Sequence, residues 1–308
     1  MTEKESYTVI PELSERLKQT IVGVHRERGT EWIAGFGELL RHCEERWGVR
    51  WREPYPPSYH FVAPVALPDG TEAALKLGVP GKELLAEAET LRIYAGQGAA
   101  RLLEADPERG ILLIERLKPG RTLHSVPDDE EAVAIAAGIM RKIARPAPER
   151  GMFPSTADWA GGLGKLRLHF HGGTGPLPER IVERAEKLYA AMHATVRQPL
   201  LLHGDLHHGN MLSAEREPWL AIDPKGVIGE AEYGVVQFLL NHLPEQNAGK
   251  VIERRIGQFA EELALDKIRI VSWTFCHTVL SAWWHIEDNS PGFEAALQTV
   301  HAVEELLG

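Results

Sequence analysis

The sequence predicts an α+β chain of two lobes: a small antiparallel sheet carrying one helix, then a larger and mainly helical half. Three observations carry this expectation. Runs rich in β-formers cluster between Tyr59 and Leu117 around turn residues, helical periodicity dominates from Asp128 onward, and Lys118-Pro119-Gly120 connects the two regimes. The boundary is expected near residue 117, giving lobes of 1–117 and 118–308.

Taken in order, residues 11–47 place Leu13, Leu17, Ile21 and Val24, then Ile33, Phe36, Leu39 and Leu40, at spacings of three and four, which predicts two amphipathic helices. Tyr59 to Leu67 and Thr71 to Leu77 flank Pro68-Asp69-Gly70 and read as a hairpin, with Lys76 near the end of its second strand. Lys82 to Tyr94 is rich in Glu and Ala with apolar residues at helical spacing, so a helix follows directly. Two further strands are expected over Ala100 to Glu104 and Gly110 to Leu117, around the turn Asp106-Pro107-Glu108-Arg109. Beyond Asp128 the helical pattern is interrupted only between about Pro199 and Val227, and a long apolar helix is predicted over Ile268 to Ile286.

Composition bounds the function. The chain has 308 residues, 44% hydrophobic and 25% charged, enough to bury a core. Lys and Arg total 34 against 44 Asp and Glu, and the resulting net charge of −10 argues against a nucleic acid held through its phosphates. Most of that negative charge falls in the last third, which favours a cationic small molecule as partner. Cys43 and Cys276 are too few for a disulfide framework or a four-sulfur zinc site and fit a reducing compartment. The Met-Thr-Glu-Lys-Glu-Ser start lacks a signal-peptide pattern and no apolar run reaches the roughly 20 residues of a membrane span, so a soluble cytoplasmic protein without a membrane partner is expected.

The chemistry concentrates at His203-Gly204-Asp205-Leu206-His207-His208-Gly209-Asn210, a loop by its two glycines. Thirteen residues after Asn210, Asp223 closes the apolar run Trp219 to Ile222 and is expected to be borne by a strand. His-x-Asp-x-x-x-x-Asn followed by such an Asp is the arrangement used for phosphoryl transfer. A carboxylate must take the proton of the attacking hydroxyl, which suits Asp205. Hard oxygen donors must hold Mg2+ against the phosphates, which suits Asn210 and Asp223. Lys76 on the hairpin is placed to meet the phosphates of ATP, and Glu87 on the next helix to hold Lys76 by an ion pair. Taken singly, Lys76 and Glu87 would read as solvated surface residues. The three loop histidines admit a zinc site as an alternative, but their glycines deny the helix that sets two histidines side by side; His203 reads rather as a brace of the loop.

Leu201 to Asn210 together with Ala221-Ile222-Asp223-Pro224-Lys225-Gly226 resembles the aminoglycoside/hydroxyurea antibiotic resistance kinases. Phe61-Val62-Ala63-Pro64-Val65, Leu75-Lys76-Leu77-Gly78 and Leu112 to Leu117 support the likeness, which runs from about Tyr55 to the C-terminal helices. The resemblance implies a bilobal protein-kinase-like fold, ATP with Mg2+, and phosphorylation of an antibiotic hydroxyl, streptomycin foremost. It implies a hinge at Glu115 to Leu117 offering backbone groups to adenine, and puts Lys225 near the phosphates or the metal. No Gly-x-Gly-x-x-Gly loop precedes Lys76, so Ser58 and backbone N–H groups would have to meet the phosphates. Gly234 stands where such kinases often carry an acid.

For a cationic acceptor the candidate contacts are Glu230, Glu232, Glu287 and Asp288 as carboxylates, with Trp159 and Trp284 as stacking surfaces. Trp283 and Trp284 share an apolar helix, so at least one is expected in the core. Two other readings stay open: a kinase of hydroxyurea or of a cellular sugar or amino alcohol, and a nucleotide-binding pseudokinase. The latter has no need of Asp205.

Overall fold

The structure, a computed structural model, describes residues 11–149 and 151–308. The reading of the extreme N-terminus as lacking a leader falls on residues 1–10 and lies outside the described residues. By their contacts the residues separate into two units, Met1–Gly120 with Ala214–Arg216, and Arg121–Ser213 with Glu217–Gly308.

The first unit opens with α1 (Glu15–His25) and α2 (Glu27–Trp47). The Ser14 side chain caps α1 by accepting from the Leu17 N–H, and Arg26 at φ 53° breaks the chain between the helices. Gly29 lets them approach, since a Cβ there would lie 2.6 Å from the Ile21 carbonyl oxygen. Next come β1 (Arg50–Trp51), β2 (Phe61–Ala66), β3 (Glu72–Leu77), α3 (Lys82–Tyr94), β4 (Leu102–Asp106) and β5 (Ile111–Glu115). The strands form one antiparallel sheet in the order β1-β2-β3-β5-β4. The hairpin and both flanking strand regions stand where periodicity predicts, but β4 is displaced toward the turn, and the two-residue β1 has no sequence signature.

Alternation along the strands sorts the sheet's two faces. Leu75, Leu77, Ile111 and Leu113 join Leu17, Ile21, Phe36, Leu40 and Cys43 of α1 and α2 in one core. Leu112 faces the other way, against Leu84 and Ala88 of α3. Lys76, paired with Leu112 in the β3–β5 register, belongs to this second face. A strand position between two core leucines therefore delivers a lysine to α3.

The second unit contains β6 (Pro119–Thr122), whose first two residues count with the first unit, then α4 (Asp129–Ile143), β7 (Arg145–Pro146), α5 (Thr156–His169), α6 (Glu179–His193), β8 (Leu200–Leu202), β9 (Met211–Ala214), β10 (Trp219–Ala221) and β11 (Val227–Gly229). It closes with α7 (Ala231–Gly234), α8 (Val236–Leu240), α9 (Ala248–Leu263), α10 (Lys267–Glu287) and α11 (Phe293–Leu306). Two three-stranded sheets, β10-β9-β6 and β11-β8-β7, frame the loop of interest. Helix α10 is central and buried from Ile270 through Leu280; its Ser272, Thr274 and Thr278 hydroxyls donate back to carbonyls of the preceding turn, so they enter the core satisfied. Trp283 is core and Trp284 half-buried, as the helical spacing anticipates.

Arg255 of α9 is 1% exposed, and Asp129 takes it bidentately at 2.6 and 2.9 Å. Its remaining N–H groups donate to the carbonyls of Phe238, Leu239 and Asn241, the open end of α8. Burial would raise the Asp129 carboxyl, but the Arg255 hydrogen bonds outweigh it and hold it below the ordinary range. No helix among the described residues is long and apolar enough to cross a membrane.

Candidate active site

The loop from His203 to Asn210 leaves β8 and enters β9. His203 is its brace: buried, it accepts from the Asp205 N–H at Nδ1 (3.3 Å) and places Nε2 2.9 Å from the Ile222 carbonyl oxygen. Burial lowers its pKa to about 4, so the ring is neutral near pH 7. With Nδ1 accepting, the proton sits on Nε2 and is donated to Ile222. The His203 carbonyl in turn accepts from Lys225 N–H (2.8 Å) and Gly226 N–H (3.2 Å). Gly204, at φ 81°, allows this approach: a Cβ there would sit 2.6 Å from Val227 Cγ2 and 3.3 Å from Lys225 Cβ.

Asp205 is one-quarter exposed and has a neighbour on each oxygen. His207 Nε2 lies 3.8 Å from Oδ1 and Lys225 Nζ 3.7 Å from Oδ2. His207 Nδ1 accepts from the Gly209 N–H at 3.0 Å, so in the neutral ring Nε2 carries the proton. It can donate toward Asp205 but cannot take a proton there. His208 turns into the core and stacks on Phe238, ring centroids 4.2 Å apart. Burial first, then Arg255 and neighbouring His242 and His124, lower its pKa to about 3.

Asn210 and Asp223 are brought together by the β9–β10 pairing, in which Met211 faces Ala221. The Ile222 N–H bonds the Asn210 carbonyl at 2.9 Å, and Asn210 Nδ2 donates to the Asp205 carbonyl at 2.9 Å, so the amide oxygen is the end of the side chain that could hold a cation. Strand β10 ends at Ala221, so Asp223 is not borne by a strand, contrary to expectation. It lies two residues beyond in the left-handed region at φ 63°, because the chain must turn there to bring Lys225 back to His203. An amide oxygen and a carboxylate on adjacent segments are a donor set that fits a hard divalent ion also held by phosphates.

In the first unit Lys76 Nζ meets Glu87 Oε2 at 2.7 Å, both side chains 6% exposed. Ser58 lies in an exposed bend ahead of β2. Glu115 ends β5, and its backbone N–H is already bonded to the Arg101 carbonyl at 2.8 Å, so the sheet has claimed one of the groups expected to serve as a hinge. Its carboxylate accepts from the Arg101 N–H and is gripped by Arg216. Burial pushes the Glu115 carboxyl up, and these bonds more than reverse it. Leu117, just beyond the strand, is buried.

The residues proposed for a cationic acceptor do not gather in one place. Glu230 Oε2 accepts from Arg269 at 2.6 and 2.9 Å and from Trp273 Nε1 at 2.8 Å, a knot at the start of α10. Glu232 accepts from the Asp266 N–H at 3.4 Å. Glu287 lies 3.9 Å from Lys165 at the far end of α10, and Asp288 caps that helix. At 1.5 Å per residue the two pairs stand about 25 Å apart, so the four carboxylates are not one site. Trp159 and Trp284 do meet, centroids 6.0 Å apart, with Tyr233 and His277 beside them. Tyr233 Oη and His277 Nδ1 are 2.7 Å apart and buried. His277 escaped sequence reading, although a histidine inside an apolar helix is a visible signal; Arg216, in a hairpin turn, gave none.

An antiparallel-sheet unit with a buried Lys–Glu pair, and a helical unit with a braced loop aspartate beside two oxygen donors, define a small-molecule O-phosphotransferase of the protein-kinase-like fold. The model of the family described as aminoglycoside/hydroxyurea antibiotic resistance kinase matches residues 54–289, and the chain belongs to that family. It is 34% identical over 304 residues to streptomycin 6-kinase of Streptomyces glaucescens, covering 96% of this chain and 97% of the relative. It is 35% identical over 295 residues to hydroxyurea phosphotransferase of Kitasatospora aureofaciens, covering 91% and 81%. Among solved structures, a thermostable mutant of aminoglycoside phosphotransferase APH(4)-Ia in ternary complex with ADP and hygromycin B aligns with a TM-score of 0.62 at 13% identity, over 87% of this chain and 97% of that one.

Proposed function

We propose that the chain transfers the γ-phosphoryl group of ATP to a hydroxyl of streptomycin or a related aminoglycoside in the cytoplasm, inactivating the antibiotic. The observation that carries this reading is the Asp205 carboxylate, set by a tautomer-fixed His207 and a neutral His203 brace, next to the oxygen donors Asn210 and Asp223. Asp205 orients the acceptor hydroxyl and takes its proton as the oxygen attacks phosphorus. Asn210 and Asp223 would hold Mg2+, which supplies charge neutralisation to the phosphate oxygens. Lys76, kept in place by Glu87, meets the α- and β-phosphates. The adenine edge falls to Arg116 and Leu117 more than to Glu115, and Ser58, in the exposed bend ahead of β2, is the side chain nominated for the phosphates.

Hydroxyurea is the second acceptor, and one observation favours it: Glu230, the acid nominated for a cationic drug, is engaged by Arg269 and Trp273. A small neutral acceptor needs no such acid. ADP release measured over a panel of aminoglycosides plus hydroxyurea separates the two. Streptomycin-dependent turnover that Asp205→Ala abolishes, with ATP binding retained, is the expected result; full activity in that variant would sink the mechanism.

A further inference from the structure

The two oxygens of Asp205 have unlike neighbours. Oδ1 faces a ring that cannot leave, because the Gly209 N–H pins His207 by its other nitrogen. Oδ2 faces the ammonium of Lys225, 46% exposed on a flexible four-carbon stem whose backbone is pinned to His203. The ammonium can therefore swing off Oδ2 and make room for an acceptor hydroxyl, whereas the pinned ring stays beside Oδ1. At 3.7 Å and half in solvent, that ion pair is a weak one, so displacing the ammonium costs little. Two arginines of the same unit are engaged elsewhere, Arg255 on Asp129 and Arg269 on Glu230.

We propose that Lys225 is a catalytic residue with two stations, on Asp205 Oδ2 while the acceptor is absent and on the transferring phosphoryl oxygens once an acceptor hydroxyl takes its place. The inference rests on the phosphotransferase reading of the site. At the first station the ammonium keeps the base from activating water, so ATP is not hydrolysed idly. At the second, the hydroxyl oxygen forms its bond to the γ-phosphorus as the bond from phosphorus to the β,γ-bridging oxygen breaks. The hydroxyl proton passes to Asp205 Oδ2, the electron pair of the broken bond leaves on ADP, and the ammonium offsets the charge on the transferring group.

The test compares ADP release with and without acceptor in the wild-type full chain, Lys225→Met, Lys225→Gln, Lys225→Arg and Asp205→Ala, with binding of a non-hydrolysable ATP analogue and thermal melting as controls. Removing the ammonium should lower acceptor-dependent kcat about 100-fold, the scale of one lost transition-state donor, while acceptor-independent hydrolysis rises severalfold. Lys225→Arg should restore most of both, and analogue affinity and melting should barely move. A folded Lys225→Met or Lys225→Gln enzyme with both rates unchanged, or with both falling together, overturns the proposal alone, provided Asp205→Ala is silent. A wild-type chain that phosphorylates no acceptor, or an Asp205→Ala variant with full turnover, overturns the site reading and this inference with it.

Discussion

Arg216 Nε and Nη2 meet the two carboxylate oxygens of Glu115 at 3.0 and 2.9 Å, and the same guanidinium donates to the carbonyls of Gly96 (2.7 Å) and Ala99 (3.1 Å). One side chain thus ties the end of β5 to the loop after α3. Arg216→Met should cost about 1–3 kcal/mol by removing the guanidinium from Glu115 and from the two carbonyls. The pH sign follows from the lowered Glu115 carboxyl: its contribution is present above the unfolded value near 4.5 and is lost as pH falls through the folded one. Urea melts from pH 7 to 3 should show a shallower acid limb in the variant.

Lys76 and Glu87 are a buried pair, and removing one member takes from the other its 2.7 Å counter-charge. Glu87→Ala is expected to destabilise the fold by about 3–5 kcal/mol, whereas Lys76→Met with Glu87→Gln together should cost much less while still lowering ATP-dependent turnover. A double-mutant cycle read by melting and by the KM for ATP checks both; equal losses in the single and double variants would refute the coupling.

Gly204 admits no side chain. Gly204→Ala meets Val227 at 2.6 Å and holds an L-residue at φ 81°, so it should cost roughly 1–3 kcal/mol and at least about tenfold in kcat by shifting Asp205. Circular dichroism melts alongside kcat would show whether loop geometry or global unfolding is responsible.

His277 is neutral in the fold, its pKa lowered to about 4 by burial, with Tyr233, Gln237, Asp205 and Lys225 the polar groups acting on it. The unfolded chain takes up this proton near 6.5, so stability is fully present above that value and falls as pH drops from 6.5 toward 4. His277→Gln should remove up to one proton's worth of that slope, measurable as a flatter stability-versus-pH curve.

The parts of this molecule legible in its sequence are those with a local cause. Helix α3 is predicted from Lys82 to Tyr94 and has those bounds, because Ala- and Glu-rich composition and apolar spacing agree there. Asp205, Asn210 and Asp223 were legible because their spacing is set by a loop and one hairpin. Asp223 in a left-handed turn was not, since that conformation is imposed by the return of Lys225 to His203. Glu230 shows the limit of charge alone: whether a carboxylate faces solvent or holds Arg269 depends on partners dozens of residues away.

The triplet Ala214–Arg216 counts with the first unit although the chain on either side of it belongs to the second. The first unit is therefore not a contiguous stretch of sequence. A fragment ending at Gly120 would lack the guanidinium that bonds Glu115 and the Gly96 and Ala99 carbonyls, and a fragment beginning there would carry Arg216 without those three acceptors. Modular exchange of this lobe between relatives would have to transplant the hairpin turn as well, so cutting the gene at the connector divides a shared part rather than two separable ones.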